Sequence, residues 1–211
     1  MAEAAGDSSS NHAARLEHLW QGSFGDQYTE RNAQAGNVRK GFWDDLLGRY
    51  PCRRVLEVGC NLGANLRWVA GRVPARDVHG VDINESALAK LRAQHPEINA
   101  TWTRARELPF RDRWFDLVYT MGVLIHQPPD TLPLVMSEIV RCSSRYVLAG
   151  EYYAEQLTEV PYRGQAGALY KRDFGGLYQG LFPDLRLVEK GFLSKAQGWD
   201  DVTWWLFERG A

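Results

Sequence analysis

From Arg15 to Tyr50 the apolar positions recur at helical spacing: Leu16, Leu19 and Trp20 stand at i, i+3 and i+4, and Phe42, Trp43, Leu46 and Leu47 repeat the stripe. This pattern predicts an N-terminal helical cap, interrupted by the polar, aromatic segment Phe24-Gly25-Asp26-Gln27-Tyr28. At Arg53 the period changes. Arg54-Val55-Leu56-Glu57-Val58 is a short strand-like run that ends in glycine, and Ala64 to Gly71 beyond it suits a helix. The unit recurs as a strand over Val78 to Asp82 and a helix over Glu85 to Gln94, with Asn84 or Asp82 as the start signal. Further strands are predicted at Ala100 to Thr103, Phe115 to Tyr119 and Arg145 to Ala149, with a helix from about Asp130 to Val140 before the last. Strands alternating with helices argue for a parallel sheet covered on both faces. After Glu151 the chain reads as irregular to about Gly180, and then as an antiparallel pair, Asp184 to Leu193 and Val202 to Glu208, that closes the sheet. The expected fold is α/β, a Rossmann-like doubly wound sheet of about seven strands with the last antiparallel, preceded by the helical cap.

Composition narrows the class. The 211 residues, 45% hydrophobic and 24% charged, are typical of one soluble globular domain, large enough to bury roughly 70% of its unfolded surface without disulfides or a structural metal. Residues 1–13 carry almost no apolar side chains and are expected to be a disordered tail, leaving 14–211 as a single domain. Within it, 14–50 form the cap, 51–150 the ligand-binding core and 151–211 a substrate loop with the C-terminal strands. Twenty-five basic against 26 acidic residues, with no block of like charge, provide no general footprint for nucleic acid or an anionic membrane. Three cysteines without CxxC or Cys/His spacing suggest neither a disulfide framework nor a zinc site, and no signal-like or membrane-spanning run occurs, so a cytoplasmic location is expected.

In open α/β sheets the ligand sits just outside the carboxyl ends of the strands. There the sequence places Glu57-Val58-Gly59-Cys60-Asn61-Leu62-Gly63 after the first strand and Asp82-Ile83 after the second. Glycine lets a backbone pass close to a ligand, and a carboxylate about 20 residues past the glycine turn is at the offset used to hold ribose hydroxyls. The pair reads as a nucleoside-binding edge, against a plain tight turn. A nicotinamide or flavin site fits less well, because Asn61 and Leu62 replace the second glycine of G-x-G-x-x-G and its spacer, and no P-loop occurs.

These residues resemble the class I S-adenosylmethionine-dependent methyltransferases over roughly residues 53–149. The carriers are Glu57-Val58-Gly59-Cys60-Asn61-Leu62-Gly63, Val81-Asp82, Ala105-Arg106-Glu107-Leu108-Pro109-Phe110, and Phe115-Asp116-Leu117-Val118 leading to Gly122-Val123-Leu124-Ile125-His126. The resemblance implies S-adenosyl-L-methionine as cofactor and S-adenosyl-L-homocysteine as product. It assigns Glu57, Gly59, Asn61 and Gly63 to the methionine side, Asp82 to the ribose with Ile83 beside it, Ala105 and Arg106 to the adenine, and Gly122 to the methionyl group. Many members carry an acidic residue where Arg104 stands, to accept from the adenine amino group. The flanks, Trp20 to Asn32, Glu151-Tyr152-Tyr153, Tyr162-Arg163-Gly164 and Lys171-Arg172-Asp173-Phe174, are similar to methylases associated with pseudaminic acid biosynthesis. They imply a lid in which Tyr28 shields the sulfonium and Arg31 meets the methionine carboxylate.

Methyl transfer from a sulfonium needs chiefly a nucleophile held in line and water kept out, so no metal is expected. A hydroxyl or ammonium acceptor must also lose a proton, for which His126 is the leading base, with Glu151 and Tyr152 beside it; the alternative for His126 is to tie down the Gln127-Pro128-Pro129 turn. Phe24, Tyr153, Tyr162, Arg163, Lys171 and Arg172 are candidate substrate contacts, and the basic ones suit an anionic small metabolite such as a sugar acid, or else form a solvated loop. The expected activity is therefore methylation of an oxygen or nitrogen of a small molecule. The alternatives are a cofactor-binding regulatory protein without turnover and a nicotinamide-dependent oxidoreductase.

Overall fold

The computed structural model describes residues 3–33 and 38–210, with side chains from residue 11 onward. Strand β1 (Val55–Val58) lies between β2 (Val78–Asp82) and β4 (Phe115–Met121); β3 (Asn99–Trp102) flanks β2, β5 (Ser143–Glu151) flanks β4, and these five run parallel. β9 (Val202–Arg209) adds to β5 antiparallel, and β8 (Leu185–Leu193) to β9 antiparallel, giving one seven-stranded sheet in the order β3-β2-β1-β4-β5-β9-β8. The expected sheet is thus present, closed by the expected antiparallel pair.

Why the sheet is covered on both faces follows from alternation within each strand. Val55, Val78, Leu117, Tyr119 and Leu148 point to a core built with α3 (Lys40–Arg49), α4 (Leu66–Val69) and α5 (Glu85–Gln94), where Trp43 and Leu91 are fully buried. Leu56, Val81, Val118 and Val147 point the other way, into a core shared with α6 (Leu132–Cys142) and α7 (Phe174–Leu181). Strand order reverses at β1 and β4, so a crevice opens at their carboxyl ends, the position at which such sheets take ligands. Register holds these ends level, because Val58 faces Val81 on one side and Thr120 on the other.

Two segments differ from the sequence expectation. Helix α1 runs over Glu3–Gln21, inside the segment expected to be a tail, and it packs there: Ala13 is buried, while His12 and Arg15 reach the carbonyls of Gly167 and Ala166 at 3.1 and 2.9 Å. Residues 1–2 of that tail lie outside the described residues. Helix α7 occupies part of the stretch read as irregular. Its three glycines mask the helical pattern, but the Asp173 carboxylate accepts from the Gly176 amide at 3.0 Å as an N-cap, and buried Phe174 and Tyr178 anchor it to the sheet. Before it, β6 (Thr158–Glu159) pairs with β7 (Tyr170–Lys171) in a small separate hairpin.

Candidate active site

The floor of the crevice is the turn after β1. Glu57 is buried beneath it, accepting from the Asn65 amide at 2.6 Å and the Tyr119 hydroxyl at 3.0 Å, and burial pushes its pKa up to about 8. It therefore supports the turn as a neutral acid and does not line the pocket. The amides of Gly59 and Cys60 donate to the Val81 carbonyl, fastening the turn to β2. Gly59 has φ +75°, and a Cβ there would fall 2.4 Å from a Val123 methyl, so only glycine lets the turn pass under that residue.

Asp82 is the hub of the floor. One of its carboxylate oxygens accepts from the Asn61 amide and the other from the Asn84 amide, each at 2.8 Å. A carboxylate offers about four acceptor positions, which leaves room for two further donors from a ligand. Burial raises the Asp82 pKa against those amides. Across the crevice Gly122, φ +72°, has open space where a side chain would project, so its backbone faces the cavity bare.

Helices α1 and α2 (Ser23–Arg31) form the roof. They are pinned to the floor because Asn61 donates to the Thr29 hydroxyl at 2.9 Å, and Asn84 donates to both the Asp26 carboxylate and the Trp20 carbonyl. Tyr28 lines the pocket edge-on to Trp20, and burial raises its pKa to about 12, so it stays a neutral phenol. Arg31, in contrast, is exposed at the end of α2 and outside the lining. Arg39 does line the pocket: it donates to Asn65 at 3.1 Å, lies 4.6 Å over the Trp199 ring, and has a buried Nε with no partner among the described residues. Asn32 joins it in the lining.

His126 lines the same pocket from the 3-10 turn Leu124–His126 after β4. Its Nδ1 lies 2.6 Å from the Ala168 carbonyl, an acceptor, so Nδ1 carries the proton and Nε2 is left as a base. Burial lowers its pKa to about 4, and the ring is neutral at pH 7. Trp20 packs at 4.5 Å and Tyr162 at 5.2 Å from the imidazole, with Phe24 behind both. Glu151 is fully buried behind this turn and accepts from the amides of Val123 and Ile125 at 3.3 and 3.2 Å. That replaces the sequence expectation of a base in the pocket: its carboxylate is spent on orienting the turn that carries His126.

The late segment divides. Tyr152, Tyr153 and Lys171 line an outer recess with Lys195, and this recess shares Asp200 with the main pocket. Arg163 sits exposed at a hairpin tip with φ +49°, while Arg172 is half-buried; neither lines the main pocket. Gly63 is also outside the lining, its Cα side blocked by Leu91. Of the residues singled out in the sequence, Tyr28, Gly59, Asn61, Asp82, Ile83, Ala105, Arg106, Gly122 and His126 line this one pocket. Asn32, a lid residue in the sequence reading, lines it too, and Glu17, Trp20, Arg39 and Asp200 also line it without having been singled out, because isolated residues outside strand ends carry no local signal. Among the described residues no group of three His, Cys, Asp or Glu side chains is placed to hold a metal, and no helix is long and apolar enough to cross a membrane.

Comparison with known proteins agrees with this layout. Residues 55–145 match the family model of a methyltransferase domain. The O-methyltransferase rstn1 of Aspergillus nomiae is 26% identical over 159 residues, covering 61% of this chain and 69% of that protein. A probable S-adenosylmethionine-dependent methyltransferase of Mycobacterium tuberculosis is 35% identical over 81 residues, 38% of this chain and 29% of its own length. This chain spans less than two thirds of most of the curated relatives it matches. Among solved structures, the Burkholderia thailandensis 1,6-didemethyltoxoflavin-N1-methyltransferase, with 1,6-didemethyltoxoflavin and S-adenosylhomocysteine bound, has a TM-score of 0.73 at 16% identity, covering 96% of this chain and 91% of that one. The fold is that seen in class I S-adenosylmethionine-dependent methyltransferases, and residues 55–145 are similar to their methyltransferase-domain model.

Proposed function

We propose that this chain transfers the methyl group of S-adenosyl-L-methionine to an oxygen or nitrogen of a small metabolite, with His126 as the proton acceptor. The observation that carries this reading is one pocket holding both a ribose-type carboxylate, Asp82, and a neutral imidazole with a free Nε2. The residues present fit the cofactor: Asp82 has acceptor capacity left, Gly122 leaves space, and Arg39 offers an unpaired buried donor for a carboxylate. When bound, the cofactor would supply an electrophilic methyl group, the S–CH3 bond breaking with its electron pair retained by sulfur, which becomes a neutral thioether. Asp82 would hold the ribose, and Arg39, rather than Arg31, the methionine carboxylate. Tyr28 and Trp20 exclude water from the reacting end, which matters because positioning and desolvation supply most of the catalysis.

As the acceptor forms its new bond to the methyl carbon, its proton passes to Nε2, while the Nδ1–H bond to Ala168 keeps the ring in that tautomer. The outer recess sets Lys171 and Lys195 beside Asp200 and Asp201, with Lys195 3.5 Å from Asp201, so Lys171 is the cation that would meet a carboxylate of an anionic acceptor. The likeness to methylases associated with pseudaminic acid biosynthesis makes a sugar acid the first class to try. Calorimetric titration with S-adenosylhomocysteine, run beside NADH, tests the cofactor reading. Micromolar binding of the first alone supports it, and binding of NADH alone would return the chain to the oxidoreductase alternative.

A further inference from the structure

Strand β3 is followed by Arg104-Ala105-Arg106, which carries two cations, and Arg106 lines the pocket. Neither is left to solvent. Glu17, about one turn from the C-terminal end of α1, lines the pocket and takes both: its Oε1 accepts from Arg106 Nε at 2.7 Å, and its Oε2 accepts from Arg104 Nε at 3.1 Å and Arg106 Nη2 at 3.2 Å. The Glu17 side chain is only 20% exposed, so this is a partly desolvated carboxylate held from a different element. Such a carboxylate has about four acceptor positions, of which three are filled, and the fourth is on Oε1.

Geometry sets what would meet it. Thr103, Ala105 and Arg106 follow β3, the strand beside β2 and Asp82, and line the pocket with Glu17, so the base of a ribose held by Asp82 would find them next to it. We infer that Glu17 is the specificity residue for the base: its remaining lone pair accepts from the exocyclic amino group of adenine, and Arg104 and Arg106 serve to aim it. An anionic acceptor there favours a donor edge, the adenine amino group, and repels the carbonyl oxygen that an oxo-purine presents at the same position. Because the acceptor belongs to the roof helix, the base is read only when α1 is seated. This inference rests on the cofactor reading above and adds to it which side chain distinguishes the base.

The test is calorimetric titration of the full chain and of Glu17→Gln with S-adenosylhomocysteine and with S-inosylhomocysteine, in which a carbonyl oxygen replaces the amino group. The wild-type chain should favour the adenosyl compound by roughly 10- to 100-fold, as expected for one hydrogen bond to a charged group. Glu17→Gln, whose amide can both accept and donate, should bring the two ligands within about 3-fold, by the same hydrogen-bond arithmetic. Melting curves of the two proteins establish that both are folded. If Glu17→Gln binds the adenosyl compound and keeps the wild-type preference, or binds neither ligand while folded, Glu17 only tethers the helix and the inference fails. Equal wild-type affinity for the two ligands also overturns it. A wild-type chain that binds neither overturns the cofactor reading itself.

Discussion

His126 works only because its two nitrogens are unlike. Ala168 fixes the proton on Nδ1, and burial holds the ring neutral down to about pH 4, so the base is in its active form throughout the physiological range. His126→Ala should lower kcat by about 10²–10⁴-fold with little change in S-adenosylhomocysteine affinity. In the wild type, the acid limb of kcat should appear only as pH falls toward about 4, measured by steady-state rates across the acid and neutral range. Asp82 is tested by binding alone. Asp82→Ala removes the ribose acceptor and should weaken S-adenosylhomocysteine by about 1–3 kcal/mol, read by calorimetry. The two arginines make a paired comparison: Arg39→Met should weaken the same ligand, whereas Arg31→Met, at an exposed position outside the pocket, should leave it unchanged.

At the scale of elements, the catalytic turn is held from behind. β5 ends in Glu151, whose carboxylate spans the amides at the start of the Leu124–His126 turn, and burial raises its pKa to about 7. Removing the acceptor strands those amides in a dry interior. Glu151→Ala should therefore cost about 1–3 kcal/mol in urea unfolding and depress kcat through a misplaced His126, with Glu151→Gln, which keeps one acceptor oxygen, recovering only part of each. The roof behaves as a second such unit. Asn61 and Asn84 each bond the floor and the roof helices together, so the elements that shape the ligand site also close it.

For the molecule as a whole, the buried acids make stability depend on pH in a direction opposite to ordinary surface carboxylates. Glu57 and Glu151 have folded pKa values of about 8 and about 7, above their unfolded values, so their contribution is complete below the ordinary carboxylate pKa near 4.5 and is lost as pH rises through 7 to 8. His126 acts with the opposite sign: its pKa of about 4 lies below the unfolded value, so its contribution is complete above about pH 6.5 and is lost as pH falls through 4. The melting temperature should decline from about pH 6 to about pH 8, and Glu57→Gln should flatten that decline; an unchanged slope would mean that Glu57 is ionised in the folded protein.

Local pattern was enough for the central architecture. The apolar runs Val55–Val58 and Tyr146-Val147-Leu148, the glycine after β1 and the acid after β2 depend on neighbours close in the chain, so the parallel sheet and the Asp82 edge were legible. Helix α7 was not, because its cap and its buried partners outweigh a glycine-rich composition. Residue type alone likewise could not assign the charges. Arg31 and Arg39 look equivalent in sequence, as do Glu151 and Glu17 as carboxylates near a strand end or a helix face. Only the packing of roof on sheet decides that Arg39 enters the pocket, that Glu151 is consumed by backbone amides, and that Glu17 meets Arg104 and Arg106 across nearly ninety residues of chain. Long-range contacts of this kind leave no period in the sequence, because each requires two elements to be placed before either side chain has a partner.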